Sequence, residues 1–318
     1  MVASTDMVQQ AAIADGVLIV MKEAGWTSHD VVAKIRNLLG GVKVGHAGTL
    51  DPAATGVLPV LVGRATRVAE YLVEWDKEYR AVLRLGETTD TEDATGTVLT
   101  RVDPSGITDE AIREVGARFH GLQQQVPPMY SAVKVGGRPL YKAARLGKTV
   151  ERRPREIIIH ELDILAIEGR DVTLRVVCSK GTYIRTLCAD IGRALGVGGH
   201  LLALERRRVG LLSIDQALTV EHIADYLAMG TLRDRMLTLD QVLEQLPAVV
   251  VDEEQAKRVL HGAPVSSEGA GLLHSLSKPV SVRLKDESGR LLAIGTYDSS
   301  AAGSIRIQKV VVEIESLH

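Results

Sequence analysis

The chain has 318 residues, 45% hydrophobic and 25% charged, a balance that excludes a disordered or collagen-like polymer. Its 38 basic and 40 acidic residues leave a formal net charge of −2, which taken alone argues against a nucleic-acid partner. Aromatics amount to 3%, with one Phe, two Trp and seven Tyr, too few to line an extended base-stacking surface.

The length suits one large domain or two unequal ones. The N-terminus lacks a basic stretch leading into an apolar one, so no signal peptide is expected. No uninterrupted apolar run reaches the roughly 20 residues of a membrane helix. The two cysteines, Cys178 and Cys188, have no CxxC spacing and read as buried, reduced thiols. A cytoplasmic protein is expected.

In chain order, residues 1–14 read as a loose arm. Gly16 to Val20 predicts a short buried strand. Thr27 or Ser28 can cap a helix with Val31, Val32, Ile35, Leu38 and Leu39 on its apolar face, stopped by Gly40. Residues 79–85 predict a strand. Thr108 caps a further helix, with Asp109 and Glu110 where the helix dipole favours acids. Ile157 to Ile167 is β-rich, and Val172 to Cys178 alternates. The turn Ser179-Lys180-Gly181-Thr182 then leads into a helix with Ile184, Leu187, Cys188, Ile191 and Leu195 on one face. Strands and helices do not strictly alternate, so the class is α+β. A boundary is expected near Pro247. Beyond it come a strand at 248–251, a helix capped by Asp252 and ended by Gly262, and a hairpin of Val280–Lys285 with Leu291–Tyr297. These suit a small β-barrel-like module.

The small net charge conceals a segregation. Gln123 to Arg155 holds eight basic residues (Lys134, Arg138, Lys142, Arg145, Lys148, Arg152, Arg153 and Arg155) against Glu151, a net of +7. Gly86 to Glu114 holds eight acids against Arg101 and Arg113, a net of −6. A solvated face is the simple reading of such runs. Concentrated in one loop-rich segment, +7 also suits contact with a phosphate backbone. The run Arg206-Arg207-Arg208 is expected to face the same partner, and the acidic stretch to face away.

The densest punctuation is Gly45 to Gly56, with glycines at 45, 48 and 56. Pro52 disfavours the helical region for Asp51. A carboxylate is thus held in a tight loop that a ligand can approach, although Asp51 could equally cap a helix with Pro52 at its first position. The GxxxxGK[ST] spacing of a phosphate loop is absent. Asp90 to Gly96 resembles the start of a calcium loop, but Thr95 and Arg101 occupy positions where Gly and Glu are needed, so a turn is expected. The nine histidines form no metal-binding cluster.

Five ordered blocks resemble the bacterial tRNA pseudouridine-55 synthases, the TruB family. Gly45 to Gly56, with Val57-Leu58-Pro59, is similar to the catalytic motif. Lys22 to Ser28, Lys77 to Arg80, Val126 to Lys134 and Ser179 to Leu187 are similar to its flanking blocks. The resemblance runs from about Gly16 to Arg208. The C-terminal stretch resembles the family's PUA module by position and by Gly262-Ala263-Pro264-Val265. Glu23 stands where the family usually has Pro, and Leu211 and Leu212 where an aromatic is common.

The resemblance implies a mixed-sheet catalytic domain over 15–246, with a basic RNA-clamping insertion at about 123–155, and a PUA-like module over 247–318. It implies isomerisation of uridine 55 in the T-arm loop of tRNA. That reaction breaks and remakes a glycosidic bond with no redox step, so neither metal nor organic cofactor is expected. Asp51, Tyr79 and Arg185 are the implied catalytic residues. A carboxylate beside an anomeric carbon is familiar from retaining glycosidases, and a nearby guanidinium would keep it ionised in a dry pocket. His46, Tyr183 and Leu204 are implied around the flipped uracil, Lys22 as a structural or phosphate contact, and Lys134 and Arg145 as RNA contacts. A stand-alone monomer with tRNA as partner, no membrane and no obligate protein partner is expected. A non-catalytic tRNA-binding or tRNA-folding protein and an RNA-guided pseudouridine synthase are the alternatives.

Overall fold

The computed structural model describes residues 15–266, 279–298 and 304–312. The expected N-terminal arm lies outside them. Strand β1 (Gly16–Lys22) is buried along almost its whole length. Thr27 caps helix α1 (Ser28–Leu38): Asp30 N–H donates to Thr27 Oγ1 (3.1 Å) and Thr27 N–H to Asp30 Oδ2 (2.8 Å). This reciprocal cap satisfies two otherwise orphaned donors. Val31, Val32 and Ile35 then bury the inner face.

Strands β2 (Val44–His46) and β3 (Thr55–Val62) follow, then helix α2 (Ala69–Glu74) and strand β4 (Lys77–Leu85). A small hairpin is formed by β5 (Glu87–Thr89) and β6 (Val98–Arg101). Helix α3 (Asp109–Ala117), capped by Thr108, leads to edge strand β7 (Gly121–Gln125). The basic segment carries only a two-residue hairpin, β8 (Lys134–Val135) with β9 (Arg138–Pro139), and helix α4 (Leu140–Ala144). Strands β10 (Arg155–Glu168) and β11 (Asp171–Cys178), helix α5 (Ile184–Ala194), strands β12 (Gly199–Val209) and β13 (Leu212–Ser213), and helices α6 (Val220–Ala228) and α7 (Leu239–Val242) complete this region.

The main sheet has the order β1-β3-β12-β4-β11-β10-β7, with β2 added to β3 and β13 to β12. Late strand β12 lies between two early ones. It runs parallel to β3, placing Arg206 opposite Gly56, and antiparallel to β4, placing Arg206 opposite Tyr79. The sheet is therefore mixed. One face packs Ala81, Leu83, Leu174 and Val176 against Leu187, Cys188 and Ile191 of α5. The other carries charge pairs, including Arg84–Asp171 (2.6 Å) and Arg175–Glu78 (3.0 Å).

A second sheet begins at β14 (Ala248–Val250). Helix α8 (Glu253–Leu260), capped by Asp252, and strands β15 (Val265–Ser266), β16 (Val280–Lys285), β17 (Leu291–Tyr297) and β18 (Ser304–Val310) follow. Their order, β14-β16-β17-β18-β15, curls around Val249, Leu284, Ala293, Tyr297 and Ile305 as a PUA-like half-barrel. Its outer side is not free-standing. Leu291, Ile294 and Val311 join Val17, Ile19, Leu61 and Trp75 in one buried cluster. Asp240 of α7 binds both Arg283 and Lys285 of β16, each at 2.8 Å.

Candidate active site

Asp51 sits between β2 and β3 in a turn closed by Ala54 N–H to the Asp51 carbonyl (3.1 Å). No helix begins at Pro52, so the capping alternative fails. Two enclosed cations hold this loop. The Lys22 ammonium donates to the carbonyls of Glu23 (2.9 Å), Trp26 (2.7 Å) and Pro52 (3.1 Å). Lys22 is 0% exposed and all three of its donors are used. Of the two expected roles, structural or phosphate contact, these bonds support the structural one. From the other side Arg206 donates to the carbonyls of Val57 (2.8 Å) and Gly48 (2.8 Å). Gly56 must be glycine: its φ is +104°, and a Cβ would lie 2.2 Å from the Arg206 carbonyl oxygen. Ser28 fixes the middle of the loop, accepting from Leu50 N–H at 2.9 Å.

Arg185, in the first turn of α5, pairs through Nε with Asp51 Oδ2 at 2.9 Å. The remaining nitrogens donate to the carbonyls of Thr91 (3.2 Å) and Tyr130 (2.8 Å). The Arg185 side chain is 7% exposed and that of Asp51 43%, so the carboxylate is the open side of the pair. Close protein surroundings raise the Asp51 pKa above the ordinary aspartate value; Arg185 opposes the rise and Asp93 adds to it. Arg185 thus acts on Asp51 in the expected sense, favouring the ionised form against the effect of burial.

Tyr79 points from central strand β4 into the main core. Burial raises its hydroxyl pKa to about 12, opposed by the Arg206 guanidinium beside it. Tyr183 precedes α5 and exchanges backbone hydrogen bonds with the Gln125 amide, at 2.8 and 3.0 Å. Burial raises its hydroxyl pKa, and Arg185 and Asp51 are among the groups acting on it. Leu204 is half-buried against the main core. His46 ends β2, its ring 5.5 Å edge-on from that of His29. Burial lowers its pKa, with His29 and Arg206 adding to the effect. Lys134 and Arg145 lie exposed on the basic insertion, and Arg145 stacks 5.5 Å over the Tyr141 ring.

Two charge-run expectations are corrected. Arg206 is 1% exposed, Arg207 pairs with Glu205 (3.0 Å) and Arg208 with Glu78 (3.3 Å). Arg206 is therefore built into the sheet and closed to RNA, while Arg207 and Arg208 keep side chains 42% and 36% exposed within their ion pairs. The acidic stretch does not wholly face away: Asp93 Oδ2 lies 3.7 Å from Arg185 Nη1, beside the Thr91 carbonyl contact. Sequence reading passed over Asp93 because its segment resembled a failed calcium loop. Glu92 beside it has a φ of +62°, the only positive non-glycine value among the described residues. Among the described residues no group of three His, Cys, Asp or Glu could hold a metal ion.

Residues 36–184 match the family model of the TruB family pseudouridylate synthase N-terminal domain, and 185–260 that of the tRNA pseudouridylate synthase B C-terminal domain. The chain is 44% identical to a tRNA pseudouridine synthase B of Syntrophotalea carbinolica over 92% of this chain and 95% of that one. Identity to the Thermobifida fusca enzyme of the same name is 45%, over 91% and 97%. The crystal structure of a Cbf5-Nop10-Gar1 complex contains a chain with TM-score 0.75 and 30% identity, covering 94% of this chain and 86% of that one. These likenesses place the fold among the pseudouridine synthases. Within that class the chain belongs to the TruB family, and it is an enzyme that modifies tRNA.

Proposed function

We propose that the enzyme converts uridine 55 in the T-arm loop of tRNA to pseudouridine, with Asp51 as the essential carboxylate. The observation that carries this reading is the Asp51–Arg185 pair, open on the aspartate side and fixed on the arginine side. The target base leaves its stack to reach it. The N1–C1′ bond breaks, the uracil turns, and a C5–C1′ bond forms. C5 then loses its proton and N1 gains one, so the change is an isomerisation. A carboxylate facing C1′ suits the positive charge that develops there.

Tyr79 stacks on the displaced uracil and assists proton transfer at C5. His46 occupies the space the base vacates, and its lowered pKa favours the neutral ring. Tyr183 and Leu204 wall the pocket. Lys134 and Arg145, with the rest of the +7 insertion, meet phosphates. The catalytic part spans 15–246 and the PUA-like part begins at about 247. The enzyme works alone, as a cytoplasmic monomer; among the described residues no helix is long and apolar enough to cross a membrane.

The test is purified protein incubated with a T-arm transcript, followed by base-resolved mapping of pseudouridine. Product at position 55 is expected, and none from Asp51→Asn; an active Asp51→Asn protein would remove Asp51 from the mechanism. An RNA-guided reading is raised by the structural neighbours that work in complexes. Product formation on the bare stem-loop excludes it.

A further inference from the structure

Arg206 is a buried cation that the proposed chemistry leaves unused. It is 1% exposed and has no carboxylate within ion-pairing distance among the described residues. Such a cation is costly to bury unless its donors are well placed. Two donate to loop carbonyls, Nε to Val57 and Nη2 to Gly48, and Nη1 approaches the Thr49 carbonyl at 3.5 Å. The strand register sets Arg206 directly across from Tyr79, where facing side chains of neighbouring strands touch. Tyr79 is 9% exposed, so its hydroxyl has little water to orient it.

We propose that Arg206 is a positioning residue for the isomerisation, acting through Tyr79: its guanidinium fixes the Tyr79 hydroxyl as a hydrogen-bond acceptor while tying that tyrosine to both ends of the Asp51 loop. A hydroxyl that accepts from a cation keeps its own proton free for another partner, here N1, which gains one; the cation stabilises the negative charge left on the oxygen when that proton is given up, before the oxygen takes the proton that C5 loses. The lowering influence of Arg206 on the raised Tyr79 pKa is in the same sense. Gly48 and Gly56 belong to this arrangement. A Cβ on Gly48 would lie 3.3 Å from Arg206 Nη1, and one on Gly56 would strike the Arg206 backbone. The two glycines therefore admit the arginine as well as shape the turn.

The inference rests on the proposed role of Tyr79, and the two are separable by experiment. Single-turnover rates on a T-arm stem-loop are measured for wild type, Arg206→Met, Tyr79→Phe and the double variant, with tRNA Kd and thermal melting for each. The expected loss in Arg206→Met is about 100-fold in rate, the scale of one positioned proton-transfer group, with Kd within about 2-fold. In the Tyr79→Phe background the same change should cost less than about 5-fold, because the two groups act as one unit. With uridine deuterated at C5, the isotope effect should be larger in Arg206→Met than in wild type. Equal losses in both backgrounds with an unchanged isotope effect would reduce Arg206 to a loop brace and overturn the inference. A wild-type rate for Tyr79→Phe would overturn the reading of Tyr79 itself. If Arg206→Met melts early, Arg206→Lys keeps the charge but not the planar fork, and its rate and isotope effect decide in the same way.

Discussion

Arg185 anchors Asp51 through Nε and opposes the rise in pKa that close protein surroundings impose. The proposed reaction needs the ionised carboxylate, so activity should fall as pH drops through the raised pKa. The acid limb of kcat/KM should lie above the range of an ordinary aspartate. Arg185→Met should move that limb to still higher pH and cut the rate on its plateau; an unmoved limb would mean that it reports some other group. Lys22 and Lys77 give a different pH signature. Both ammonium groups are lowered to about 8 from the ordinary 10.5, chiefly by burial. Between those values the unfolded chain binds more protons than the folded one, so stability contributed by these sites rises with pH from about 8 and is least below it. The buried thiols Cys178 and Cys188, raised by burial, act in the opposite sense above about 9. The clean measurement is the difference in urea midpoint between wild type and Lys22→Met, which should widen from pH 8 to 10.

The elements with strong local signals were legible in the sequence. Thr27 and Asp30 announce α1, Thr108 announces α3, and Asp252 with Gly262 brackets α8, because caps and stops are short-range chemistry. Asp51, Tyr79 and Arg185 stand out in the sequence only through their flanking blocks, and the structure pairs the first with the last. What stayed hidden was long-range. Nothing local in Arg206-Arg207-Arg208 says that β12 will slot between β3 and β4, and that placement alone turns a solvated-looking run into a buried brace and two surface ion pairs. Asp93 is hidden twice over: its own segment reads as a turn, and its partner lies far along the chain on α5. The insertion is the element where composition remains the better guide. Its cations Arg138, Lys142 and Lys148 are exposed and in no ion pair among the described residues. Replacing all three by Ala should weaken tRNA binding and flatten the plot of log Kd against log salt by about 2, at roughly 0.7–0.9 for each phosphate no longer neutralised. An unchanged salt slope would place the RNA elsewhere.

On the scale of the whole molecule, the second sheet has a core of its own around Val249, Leu284 and Tyr297 but also shares one with the first. Leu291, Ile294 and Val311 fill the same cluster as Val17, Ile19 and Trp75, and Asp240 is shared with Arg283 and Lys285. A chain ended at Leu246 should therefore lose on the order of 5 kcal/mol, at about 1.5–3 for each of the three buried side chains withdrawn. Its thermal midpoint should fall clearly below that of the full chain; an unchanged midpoint would make the C-terminal sheet a mere appendage. The position of β12 also has a consequence during synthesis. A ribosome delivers the Asp51 loop early, with β1, β3 and Lys22, but Arg185 and Arg206 emerge only after most of the main sheet. Asp51 should therefore lack Arg185 until α5 is made, and its loop should lack Arg206 until β12 enters between β3 and β4. Pairing over such sequence separation is slow. Competence therefore arrives late in translation, as a single closing event.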